Sequence, residues 1–399
     1  MLRRLKTLAA QREPWLIAGL LALVFRLLYV LLFPQYRIEG GDAPLYLQLA
    51  DAVRSGSWPE GLTHFYQPLY VWFLAGVRTV FGSSLLAVRV VQAFASAGTV
   101  AVMAWIGTRW ADRRTGLAAG LFGALCMPMI LDAGVLYTET IFTFILTAAV
   151  ALVLRALRDP SRRAALIAGA ALAAAGLTRE IGFYLGFVLS AGAAVRRRSV
   201  LLFILLAVPS LLAMGAWAMR TKAVASREPQ ASSAPLLSKG YEKTLTEPTF
   251  AKNVLSPRRW PLVLEGAYLY FRLPHHLMDL GVRDVSVRQE LASGEWERIR
   301  PIAAQALAKG LMILMHLAWL VLAAYGLWKG KLARDAKILF ALAVAFMGVA
   351  IIVKGMAYDD AFPPYIEMSR YRFPIDPLIL ILAASGAAAL EDRLRGKKA

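Results

Sequence analysis

Cysteine is nearly absent: Cys126 is the single one in 399 residues, and it lies inside an apolar run. That excludes a disulfide framework and a thiolate metal site. Histidine is scarce too, with four residues. Two of them, His275 and His276, are adjacent and so point to different sides of a helix or strand, which argues against a shared ion. No dense group of His, Asp and Glu stands at ligand spacing, so the pattern supports neither a divalent metal nor another bound cofactor. There is no glycine-rich nucleotide-binding loop, and no repeat at a period of 20 to 50 residues. Acidic residues are in the minority, 26 against 45 Lys and Arg, for a net charge of +19. That balance does not signal a nucleic-acid partner, because no basic patch interleaves with base-stacking aromatics.

Apolar residues are plentiful. They make up 58% of the chain, and the mean hydropathy is +0.55, far beyond a water-soluble domain. Ten apolar runs recur, near 15–33, 83–107, 115–133, 136–154, 163–178, 181–195, 199–219, 303–328, 337–354 and 374–390. Most are long enough to cross a hydrocarbon core about 30 Å thick; those at 163–178 and 374–390 are short. The fold expected is an all-α polytopic membrane protein of about ten transmembrane helices, a single membrane domain over 1–399. The first run follows a basic tip and has no small-residue cleavage site, so it reads as a retained helix and not a signal peptide.

The charge has a pattern. Twenty-two of the 45 basic residues fall in six short stretches: Arg3 to Arg12, Arg109 to Arg114, Arg155 to Arg163, Arg196 to Arg198, Lys329 to Lys337, and Arg393 to Lys398. Their acidic neighbours are Glu13, Asp112, Asp159, Asp335, Glu391 and Asp392, so these stretches hold +16 of the net charge. They occupy the termini and every second connection. Cationic loops stay in the cytoplasm, so both termini read as cytoplasmic and the protein as a multi-pass protein of the bacterial inner membrane. The other connections face outward: 34–82, 220–302 and 355–373 are the longer ones.

Residue types that do chemistry collect on that outward side. Glu39 and Asp42 lie just past the first span, in Ile38-Glu39-Gly40-Gly41-Asp42-Ala43-Pro44. Residues 43–55 read as an amphipathic helix with Leu45, Leu49, Ala52 and Val53 near one face and Gln48, Asp51 and Arg54 on the other. Pro44 suits its first turn, and Asp42 stands near the N-cap, so it can cap the helix, act on a substrate, or both. His64-Phe65-Tyr66-Gln67-Pro68-Leu69-Tyr70 leads into a mostly apolar stretch at 68–81, too short for a span and suited to an interfacial or re-entrant position. His64 either binds substrate or titrates in solvent. Glu139 opens the fourth span, where it either favours the helix dipole or meets a partner or wet cavity. Arg179-Glu180 fills a brief outward turn, as an exposed ion pair or as a retained positive charge with a task. Arg26, deep in span one, needs a partner inside the bundle, and a structural role is expected for it. In the last outer segment, Ser369-Arg370-Tyr371-Arg372-Phe373-Pro374, two arginines flank a tyrosine. They grip either phosphate oxygens or anionic headgroups. Lys354, at the outer end of span nine, can join them.

The order of these pieces resembles a known family. An acidic residue stands in the first outer loop, followed by Tyr66-Gln67-Pro68-Leu69-Tyr70 and a basic inner turn after span two. Thr138-Glu139 then opens span four, Thr178-Arg179-Glu180 follows span five, and Ser369 to Pro374 precedes the last helix. This pattern is similar to the GT-C superfamily of membrane glycosyltransferases, in the bacterial branch related to protein O-mannosyltransferases and aminoarabinose transferases. Protein mannosyltransferases usually have adjacent acids in this loop, whereas Gly40 and Gly41 here separate Glu39 from Asp42.

The resemblance implies a polyprenyl-phosphate-linked sugar as donor and a glycan, lipid or protein hydroxyl as acceptor, with the bilayer as setting. It makes Asp42 the general base, and it gives Arg179, Arg370, Arg372 and Lys354 the donor phosphate. Glu39, Glu139, Tyr66 and His64 would hold the acceptor or orient an arginine. The absence of a nucleotide loop suits a lipid donor. Two rivals use the same arginines: a transporter or flippase of a lipid-linked anion, and a polysaccharide ligase.

Overall fold

The computed structural model describes residues 13–33, 42–56, 66–227, 296–357 and 373–396. Side chains are described there except at 224–227, 296–306, 308, 309, 351–357 and 373. Of the residues singled out above, Glu39, His64, Arg370, Arg372, His275 and His276 lie outside the described residues, as does the side chain of Lys354.

The regular elements among the described residues are all helices, with no strand among them. In chain order the helices are α1 Pro14–Leu32, α2 Ala43–Arg54, α3 Pro68–Phe81, α4 Leu85–Trp110, α5 Arg113–Leu125, α6 Met127–Asp132 and α7 Thr138–Arg158. They continue with α8 Arg162–Thr178, α9 Ile181–Arg197, α10 Val200–Arg227, α11 Trp296–Lys329, α12 Arg334–Ala357 and α13 Asp376–Gly396, the last entered through a 3₁₀ turn at Phe373–Ile375. Among the described residues, five stretches are long and apolar enough by themselves to cross a membrane: Pro14–Leu32, Leu85–Trp110, Thr138–Arg158, Val200–Ala223 and Gly310–Lys329. The remaining apolar runs form helices packed into the same bundle, so the fold is an all-α polytopic membrane domain.

One run departs from the single span expected at 115–133. It breaks at Cys126 into α5 and the short α6, with Pro128 in the first turn of α6. Proline has no N–H to donate and its ring crowds the preceding turn, so a helix restarts there more readily than it continues. The chain then stays irregular through 133–137 before α7.

The short run at 374–390 turns out to thread the middle of the bundle. Every residue of α13 from Asp376 to Ser385 is buried. It packs on α11 and α5 and touches α4 and α12. Small residues bring the backbones together: a Cβ on Gly326 would overlap the carbonyl oxygen of Leu382, and one on Gly386 that of Leu322. The Ala-rich α8 packs by the same device, with Gly169 facing the carbonyls of Leu205 and Leu206 on α10.

At one end the basic turns are laced together. Arg114 and Lys331 both pair with Asp392, Lys331 also reaches Asp112 at 3.6 Å, and Arg196 pairs with Asp335. The few acids found among these basic stretches thus link α5, α9, α12 and α13. At the opposite end sit α2 and α3. Their apolar faces form a second core from Tyr46, Leu49, Tyr70, Val71 and Leu74, closed by Val88, Leu136 and Ile141 of the bundle.

Candidate active site

The short helix α2 follows directly from its sequence. Pro44 presets the first turn, and Asp42 is the N-cap. The backbone at Asp42 is already helical, however, and its side chain makes no capping hydrogen bond, while its carbonyl accepts from Tyr46 N at 3.0 Å. The carboxylate is therefore not used as a cap. The buried face of α2 is Ala43, Tyr46, Leu49 and Ala50, rotated from the face expected. Asp51 lies on the exposed face, as read from the sequence, and is gripped there by Arg78 of α3. Nε meets Oδ1 at 3.0 Å and Nη2 meets Oδ2 at 2.9 Å, and Arg54 adds a third bond at 3.0 Å. This two-pronged contact pins α2 to α3.

Tyr46 is the hub. Its ring is buried and meets Tyr66 and Tyr70 edge-on, with centroids 5.0 and 4.9 Å away. Burial holds the phenol's pKa far above its usual value. Arg179 pulls it down, while Glu139, Asp42 and Tyr66 push it up. The four groups that the phenol feels come from the mouths of α2, α3, α7 and α8. The structure thus sets Tyr66 against Tyr46 and brings Asp42, Glu139 and Arg179 within electrostatic reach of its phenol, at the end of the bundle opposite the basic turns.

Glu139 and Arg179 form an ion pair across α7 and α8. Arg179 Nη1 lies 2.7 Å from Glu139 Oε1, and also donates to Thr138 Oγ1 at 2.9 Å. The Thr138 hydroxyl in turn donates to Glu139 Oε2 at 3.2 Å. The Glu139 side chain is 1% exposed and that of Arg179 14%. Arg179 and Glu180 do not form the exposed neighbour pair that a tight turn allows. Glu180 instead accepts from the Tyr184 hydroxyl at 3.0 Å. An ionisable side chain opening a membrane helix has found its partner, as the cost of burying it requires.

Arg26 has the structural role expected of it. Its guanidinium donates to Ser96 Oγ at 2.6 Å, Gly123 O at 3.1 Å and Ala22 O at 3.2 Å. Sequence reading passed over three further polar residues that serve this end of the bundle: Arg89, Gln92 and Asp132, all buried. The signal for Arg89 was the same as for Arg26, an arginine inside an apolar span. Among the described residues, no group of three or more His, Cys, Asp or Glu comes together as a metal site would need.

Comparison with known proteins bears on this arrangement. Residues 66–219 match the family model described as dolichyl-phosphate-mannose-protein mannosyltransferase. No curated protein sequence matches the chain significantly. Among solved structures, the chain resembles ArnT from Cupriavidus metallidurans bound to undecaprenyl phosphate, at TM-score 0.52 and 15% identity over 96% of this chain. It also resembles the Archaeoglobus fulgidus oligosaccharyltransferase tethered with an acceptor peptide, at TM-score 0.53 and 12% identity over 96% of this chain. The chain spans 61% of the first structure and 50% of the second. At such identities the likeness is one of fold. The chain thus shares its fold with these two membrane proteins, and its 66–219 segment matches the mannosyltransferase family model.

Proposed function

We propose that this protein transfers a sugar from a polyprenyl-phosphate-linked donor to a hydroxyl acceptor, at the outer face of the cytoplasmic membrane, with inversion at the anomeric carbon. In this reading both termini are cytoplasmic. The observation that carries it is the meeting of Asp42, Tyr46 and Tyr66 with the Glu139–Arg179 pair at the end of the bundle away from the basic turns. A cationic turn favours the cytoplasmic side, which leaves this cluster for the exterior.

The reaction runs as follows. The Asp42 carboxylate takes the proton of the acceptor hydroxyl as its oxygen bonds to the anomeric carbon. The bond from that carbon to the phosphate oxygen breaks, and its electron pair leaves with polyprenyl phosphate. Attack opposite the leaving group inverts the centre. General-base help of this kind is worth about 10² to 10⁴ in rate. Arg179, Arg370, Arg372 and Lys354 offset the charge that grows on the phosphate, and such preorganised assistance is often the largest catalytic contribution. Glu139 orients Arg179 through the 2.7 Å contact. Glu39, His64 and Tyr66 hold the acceptor.

The test is a purified preparation in liposomes given labelled polyprenyl-phosphate sugars and an envelope extract as acceptor. Label passing from lipid to acceptor is the expected result. Lipid crossing the bilayer with its sugar still attached would identify a flippase and overturn the proposal.

A further inference from the structure

Helix α4 carries Arg89, Gln92 and Ser96 on one buried stripe, each at most 3% exposed. Their spacing of three and four residues puts them on a single face. That face meets the irregular backbone between α6 and α7, where carbonyls have lost their helical partners. Inside a membrane such groups must be satisfied by protein. Arg89 Nε donates to Gly134 O at 3.0 Å, and its Nη2 to Phe33 O at 2.7 Å. Gln92 Nε2 donates to Val135 O at 2.7 Å and Ala133 O at 3.3 Å, and its Oε1 accepts from the Tyr70 hydroxyl at 2.9 Å. Two side chains therefore hold three consecutive carbonyls, Ala133, Gly134 and Val135. The close fit depends on glycine, since a Cβ at Gly134 would lie 2.6 Å from the Tyr29 ring and 3.1 Å from the Arg89 guanidinium.

These anchor points are not scattered. Phe33 caps the C-terminus of α1, nine residues before Asp42 in the sequence. Val135 lies four residues before Glu139. Tyr70 stacks edge-on against Tyr46, the residue at the centre of the site. We infer that Arg89, assisted by Gln92, is a positioning residue: together they tie the end of α1 and, through Tyr70 and Tyr46, the helix α2 that Asp42 opens to the chain leading to Glu139, so that the base and the Glu139–Arg179 pair keep a fixed separation. This inference rests on the roles proposed for Asp42 and Arg179. A guanidinium suits the task because its planar fork reaches two backbone segments at once, whereas a lysine presents a single point of charge.

The experiment compares wild type, Arg89→Lys, Gln92→Asn and Asp42→Asn, each scored for binding of labelled polyprenyl phosphate and for turnover per binding site. For Arg89→Lys we expect binding at wild-type stoichiometry, a donor KM within about threefold of wild type, and a kcat reduced about 10²-fold, the size of effect a misplacement near 1 Å produces. Gln92→Asn moves in the same direction by less. Wild-type kcat in both variants overturns the inference, as does a loss of turnover that only tracks a loss of binding sites, which would assign these residues to folding. Near-normal turnover in Asp42→Asn would instead remove the reading on which the inference rests, whatever Arg89→Lys does.

Discussion

Removing either partner of the Glu139–Arg179 pair leaves the other buried without its counter-charge. At the observed 2.7 Å, an effective dielectric of about 20 gives a gross attraction of about 6 kcal/mol. Desolvation cancels much of that in the intact pair, but a lone partner keeps the penalty, and measured losses for such deletions run about 3 to 5 kcal/mol. The two deletions are unequal here. Glu139→Gln strands Arg179, whose side chain is 14% exposed and can draw some water. Arg179→Gln takes this counter-charge from Glu139, which is 1% exposed and draws no such water. We therefore expect losses of about 3 kcal/mol for Glu139→Gln and nearer 5 kcal/mol for Arg179→Gln. The double variant should be more stable than Arg179→Gln alone. Unfolding by graded SDS in mixed micelles, run as a double-mutant cycle, measures this, with a coupling of at least about 2 kcal/mol expected. Single losses below about 0.5 kcal/mol, or strict additivity, would show that the pair is not a buried unit and would refute the reasoning.

Three further outcomes follow from the same contacts. Gly326→Ala should force α11 away from Leu382 of α13 and destabilise by about 1 to 3 kcal/mol in the same assay, while Gly310→Ala, which faces open space, should not. Arg26→Met removes the donor to Gly123 O and Ser96 Oγ, and should cost about 1 to 3 kcal/mol for each acceptor left buried without a partner. The raised pKa of Tyr46 means that the folded state holds that proton more tightly than the unfolded chain. Its contribution to stability is therefore present below about pH 10, where a free phenol begins to ionise, and is lost as the pH rises further. Tyr46→Phe should flatten the alkaline limb of the stability profile, and leave the activity profile between about pH 6 and 9 unchanged in shape because the phenol does not titrate there.

Much of the architecture was legible because a membrane makes simple demands. Apolar length finds helices, and the alternation of basic turns orders them. What escaped were features created by contacts between distant segments. The break at Cys126 inside one apolar run is a backbone event that hydropathy alone does not register. The buried position of α13 was hidden because its run is short, and its role depends on close approach to α11 at Gly326 and Gly386. Asp51 is a surface residue as read, but its partner Arg78 comes from α3 and could not be read from its own helix. Arg179 has an adjacent acid in Glu180, yet its partner is Glu139, on another helix. Arg89 and Gln92 sit at helical spacing in a span, which is a visible sign, but the carbonyls they serve belong to a loop whose irregularity is not. For the site, Asp42, Tyr66, Glu139 and Arg179 were each selected by residue type and position at a helix mouth. Tyr46, the residue at their centre, looked like one more aromatic on an amphipathic face.

The central claim is that Asp42 takes a proton during sugar transfer. The most direct measurement is single-turnover transfer from a labelled polyprenyl-phosphate sugar by purified wild-type and Asp42→Asn protein, with donor binding measured on the same samples. The account predicts at least about a 10²-fold loss of rate with donor binding and thermal stability retained. Transfer by Asp42→Asn at close to the wild-type rate would contradict it.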